Sequence, residues 1–129
     1  MKTKVLAIVA FLFTIGSVSA QSMDNWPALK AFHGVMSQTF HPAEEGNLEP
    51  IKARSEEMMN KAAQLLKVEI PAEFRTDAII ASAERLQLKS TALNKIVKSN
   101  AADAAVVKSI TDLHDTFHEI VGLCSETKK

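Results

Sequence analysis

Apolar residues recur at steps of three and four along four stretches of this chain, and nowhere is there a convincing two-residue alternation of the kind a strand requires. The first stretch aligns Trp26, Leu29, His33, Met36 and Phe40, and the second Ile51, Ser55, Met58, Ala62 and Leu65. The third aligns Ile79, Ala83, Leu86, Ser90, Leu93 and Val97, and the fourth Val107, Ile110, His114, Phe117, Val121 and Cys124. Each line is the inward stripe of an amphipathic helix. Pro27 and Pro50 suit the first turns of two of these helices. His41-Pro42 and Ile70-Pro71 should end the first and second, because proline disfavours helical geometry in the residue before it. Gly46-Asn47 and Lys98-Ser99-Asn100 mark turns. The spacing therefore predicts helices from Pro27 to about Phe40, Pro50 to about Val68, Ala72 or Phe74 to Val97, and Ala101 to Cys124. Four such helices with short connections predict an all-α, antiparallel up-down-up-down four-helix bundle.

The start of the chain follows a different pattern. Lys2 and Lys4 precede an apolar run over residues 5–15, followed by Gly16-Ser17-Val18-Ser19-Ala20. This order matches a secretory signal peptide with cleavage ahead of Gln21. The run is shorter than the roughly 20 residues a membrane span needs, so no stable anchor is expected after cleavage. Residues 1–20 are thus read as a signal peptide and 21–129 as one exported, periplasmic or secreted domain. Cleavage would remove two of the 15 basic residues and none of the 15 acidic ones, leaving a formal charge of −2. That balance argues against nucleic acid as a partner, since phosphates are neutralised by clustered Lys and Arg. Cys124 is the single cysteine, which excludes an internal disulfide and a cysteine-based zinc cluster. Its seam position makes it a buried apolar residue; an intermolecular disulfide through it would instead give a homodimer.

Two histidines interrupt the apolar stripes. His33 lies about six residues into the first helix and His114 about ten before the end of the last, so in an up-down bundle both sit roughly 9–15 Å from the same end, at about 1.5 Å per residue. An unpaired polar group in an apolar interior costs roughly 1–3 kcal/mol, so each imidazole should have a partner. His118 is one turn from His114, and two histidines at that spacing can grip one ion. Counting from the other end brings Met58 near the same layer, with Met36 one turn away. The expected metal site is therefore His33, His114, His118 and Met58, suited to zinc, copper or nickel. The competing reading has the methionines as core filler and the histidines hydrogen-bonded to Ser55, Glu57 or one another. A weaker second cluster is His41 with Glu45, flanked by Glu44 and Glu49, in the first loop. There the carboxylates could equally be a solvated face near the positive end of the second helix. His41 is about 12 Å along the helix axis from His33, too far for both to join one mononuclear site easily.

Leu113-His114-Asp115-Thr116-Phe117-His118 resembles the His-x-x-aromatic-basic ending of the cytochrome b562 and cytochrome c-prime group, and the bundle architecture resembles those proteins over most of residues 21–129. The resemblance implies haem b held by His114 and, from the first helix, Met36 or His33. The chain departs from the c-type members at the attachment motif Cys-x-x-Cys-His, where it carries Ile110 and Leu113, so covalent haem is excluded. Three function classes follow: an exported metal-binding bundle for storage, delivery or sensing, a non-covalent haem protein for electron transfer, and a cofactor-free interaction module. No nucleophile and base pair points to an enzyme.

Overall fold

The computed structural model describes residues 23–127, so the proposed signal peptide lies outside the described residues. Among these the chain forms a four-helix bundle and no strand: α1 (Pro27–Glu44), α2 (Glu49–Lys67), α3 (Asp77–Lys98) and α4 (Asp103–Thr127). A short 3-10 turn over Ala72–Phe74 precedes α3. Successive helices pack on each other, and α1 also meets α4, over a much smaller stretch than the other pairs.

The helix ends follow from local chemistry. Pro27 opens α1 where a missing N–H is harmless. Gly46, at φ 92°, takes the left-handed geometry that turns the chain after α1, and Asn47 accepts a hydrogen bond from the Glu49 N–H at 3.2 Å as α2 begins. Thr76 caps α3 by accepting the Ile79 N–H at 3.2 Å. This cap explains why α3 begins later than the apolar pattern suggested. The preceding turn is held separately, with Phe74 buried and stacked on Trp26 at 5.8 Å between ring centroids.

α1 departs more consequentially from expectation. It runs through Pro42 to Glu44 instead of stopping at Phe40. Proline cannot donate to the carbonyl four residues back; here that carbonyl belongs to the exposed Gln38 and lies in the helix's last turns. The Pro42 carbonyl in turn accepts the Glu45 and Asn47 N–H groups at 3.0 and 2.9 Å. His41 therefore lies on a helix and not in a loop.

The core contains the expected stripe of α2, with Ile51, Ser55, Met58, Ala62 and Leu65 all buried. It also contains Ile79, Ala83, Leu86, Ser90 and Leu93 of α3. Ser55 donates to Asn94 Oδ1 at 2.9 Å, a buried polar link between these helices. In α4 the stripe is instead Val106, Ile110, Leu113, Phe117, Ile120 and Cys124. It shares Ile110, Phe117 and Cys124 with the expected line but takes Leu113 and Ile120 where His114 and Val121 were expected. α1 makes the same exchange, burying Phe32 where His33 was expected. Burying the larger apolar neighbour gains transfer free energy and avoids desolvating an imidazole. Both histidines are consequently half-buried at the margin of the α1–α4 contact.

Candidate metal centre

The shifted stripes bring all four histidines of the chain to one place. His33, His41, His114 and His118 line a groove of about 210 Å³ with Met36, Ser37, Phe40 and Phe117. α1 supplies His33, Ser37 and His41 at successive four-residue steps, and α4 supplies His114 and His118 one turn apart. The uninterrupted helix through Pro42 puts His41 on this face.

Aromatic rings form the walls. Phe40 lies flat on His114, with centroids 3.9 Å apart and planes 10° apart. His33 lies over Phe117 at 5.5 Å and 18°, and Phe117 in turn packs on Phe32 at 5.7 Å. The His118 ring meets His114 edge-on at 4.3 Å. These contacts hold His114 and His33 from the core side and leave His118 and His41 exposed at the rim.

The two α4 histidines converge through the same atom type. His114 Nε2 and His118 Nε2 are 3.1 Å apart. At this distance one ring donates an N–H and the other accepts it through a nitrogen lone pair. Two nitrogens each about 2.0–2.1 Å from a tetrahedral zinc ion would be about 3.3–3.4 Å apart, so an ion could replace the shared proton with only a small movement. Burial, and after it the nearby His118, lowers the His114 pKa from its usual value. Its imidazole is thereby favoured in the neutral form that metals require.

At the rim, His41 Nδ1 is 3.3 Å from Glu44 Oε1. Glu45 is exposed and does not line the groove, and neither does Glu49. Met58 is fully buried and is not among the lining residues, whereas Met36, 2% exposed, forms part of the wall. Met59 receives the Asn94 amide at 3.7 Å. The alternative hydrogen-bond partners are engaged elsewhere, Ser55 with Asn94 and Glu57 with Arg54 at 2.8 Å; only the pairing of histidine with histidine is present. Among the described residues no three His, Cys, Asp or Glu side chains already stand as a complete metal-holding group. The preformed element is the His114–His118 pair, with two further imidazoles lining the same groove.

The sequence placed His41 apart from the other histidines, although the spacing His33, Ser37, His41 carries the signal for one helix face. A larger depression of about 740 Å³, lined in part by Pro27, Ala28, Ala31, Ala53 and Lys61, lies elsewhere and gathers no histidine. No family model, curated protein or solved structure matches the chain.

Proposed function

We propose that this protein binds a transition-metal ion in the α1–α4 groove, with His114 and His118 as the chelating pair and either His33 or His41 as the imidazole that extends the shell. The observation that carries this reading is the 3.1 Å separation of the two Nε2 atoms. An all-imidazole set suits zinc, copper and nickel, and Met36 in the wall offers a thioether of the kind reduced copper favours. The role is storage, delivery or sensing in an exported, periplasmic or secreted protein, in line with the signal-peptide pattern of residues 1–20.

An antiparallel up-down-up-down order belongs to the same proposal. It is supported by side-chain pairs that run in opposite directions along neighbouring helices: Arg85 with Glu119 and Lys89 with Asp112 between α3 and α4, and His33 with Phe117 and Phe40 with His114 between α1 and α4. The haem reading gains less. Met36 and His114 both line the groove, but about 210 Å³ is below the roughly 300–1,000 Å³ of typical cofactor pockets.

The test is metal analysis of protein purified without a histidine tag, followed by zinc titration of the parent and of a His114→Ala, His118→Ala double variant. Stoichiometric binding by the parent and its loss in the variant are expected. Equal binding by both would remove the chelate from the site.

A further inference from the structure

We infer that His41 is the third ligand of the His114–His118 chelate and that Glu44 is the positioning residue that turns its Nε2 towards the ion. This rests on the chelate reading above and goes beyond it by choosing between His33 and His41.

Three observations favour His41. The first is the ring path to the chelate: the His41 ring meets Phe40, which covers His114 at 3.9 Å, whereas His33 lies against Phe117, whose contact with the chelate is the longer one to His118, at 6.0 Å. The second is freedom to move. His33 is half-buried with its ring nearly parallel to Phe117, while the His41 side chain is 68% exposed at the rim. Reaching the ion therefore disturbs at most its tilted contact with Phe40 at 6.0 Å, and no stacked ring.

The third is the tautomer. Glu44 Oε1 stands 3.3 Å from His41 Nδ1, and a carboxylate there accepts a hydrogen bond from nitrogen, so in a neutral ring Nδ1 carries the hydrogen and Nε2 the lone pair. A ligating histidine commonly donates its other ring N–H to a carboxylate, which fixes the tautomer and ring orientation and raises ligand basicity. Glu44 follows His41 by three residues, which places the two on one helix face. That geometry exists because α1 continues through Pro42 to Glu44. The same continuation keeps His41 on the helix face that lines the groove.

The experiment is zinc competition against a chromophoric chelator with the parent chain and the single variants His41→Ala, His33→Ala, Glu44→Ala and Glu44→Gln, each checked for unchanged helical content. His41→Ala should weaken zinc binding at least tenfold, and His33→Ala less than threefold. Loss of an outer carboxylate typically weakens metal binding about 10–100-fold; Glu44→Ala should fall in that range, and Glu44→Gln, whose carbonyl still accepts from Nδ1, should recover part of it. A readout independent of metal is the ¹⁵N spectrum of the His41 ring in the zinc-free protein, which should show the Nδ1–H form in the parent and a shift towards Nε2–H in Glu44→Ala. Parent-like binding by His41→Ala, or weakening confined to His33→Ala, overturns the inference while leaving the chelate in place. A parent that binds no zinc, or a His114→Ala, His118→Ala variant that binds it equally, overturns both.

Discussion

The imidazole of His114 lies face to face with the phenyl ring of Phe40, at 3.9 Å between centroids and 10° between planes. This contact ties the electrostatics of the groove to the packing of the core. Phe40, 7% exposed, is part of the main hydrophobic cluster, and it shields one face of His114 from water. Burial is the leading reason that the His114 pKa is lowered.

Removing that shield should return His114 towards ordinary behaviour. Phe40→Ala is expected to destabilise the fold by about 3–5 kcal/mol, the usual range for a buried phenylalanine. Phe40→Leu keeps most of the apolar volume and loses the stacking. In Phe40→Leu the His114 ring should titrate at higher pH than in the parent, as followed by its NMR resonances. An unchanged titration would show that Phe40 does not control the desolvation.

The lowered His114 pKa also fixes the sign of a pH effect on the metal-free protein. In the unfolded chain the ring takes up its proton near its ordinary pKa of about 6.5. In the folded chain it does so only at lower pH, so between these two values the unfolded state binds more protons. Stability therefore falls as pH drops from about 6.5 and levels off below the folded-state pKa. Denaturant midpoints measured across pH 7 to 4 should show this decline, with a smaller one in His114→Gln. An equal decline in both would assign it to other groups.

The stripes of α2 and α3 were legible in the sequence because each offers a single set of apolar positions at the required spacing. α4 was not, because two stripes share Ile110, Phe117 and Cys124. The choice between them depends on whether Leu113 or His114 turns inward, and in the folded bundle it is Leu113 that is fully buried. α1 repeats this ambiguity with Phe32 and His33. Its C-terminal end was misread for a different reason. A proline is a strong local stop signal, but its effect is small when the unserved carbonyl lies on an exposed residue two turns from the helix end. The gathering of His33, His114 and His118 was therefore legible from their spacing, while their depth in the bundle and the presence of His41 in the same groove depended on tertiary structure.

Metal binding should appear as added stability. An ion that binds only the folded chain, held at 100 times its dissociation constant, adds about 2.7 kcal/mol, or on the order of 10 °C in Tm for a domain of this size. The ion would link α1 to α4, the pair that meets over the shortest stretch. Amide hydrogen exchange should therefore slow most along the α1–α4 seam. No Tm shift with zinc, copper or nickel would leave the histidine pair a structural hydrogen bond.

Cys124 provides a check on the bundle at a distance from the groove. It is ten residues beyond His114, roughly 15 Å along α4, too far to share the ion. Its side chain is fully buried, and that burial, with Glu73 adding to it, pushes the thiol pKa up to about 11. Only a small fraction of the thiol is ionised at neutral pH, and the thiolate is the reactive form. Alkylation of the native protein at pH 8 should therefore be slow and become fast in denaturant, as followed by mass spectrometry. A disulfide-linked dimer should likewise form only after local unfolding exposes the sulfur. Rapid labelling of the native chain would mean that the end of α4 opens readily, and the helix-end contacts around Cys124 would then contribute little to the stability of the bundle.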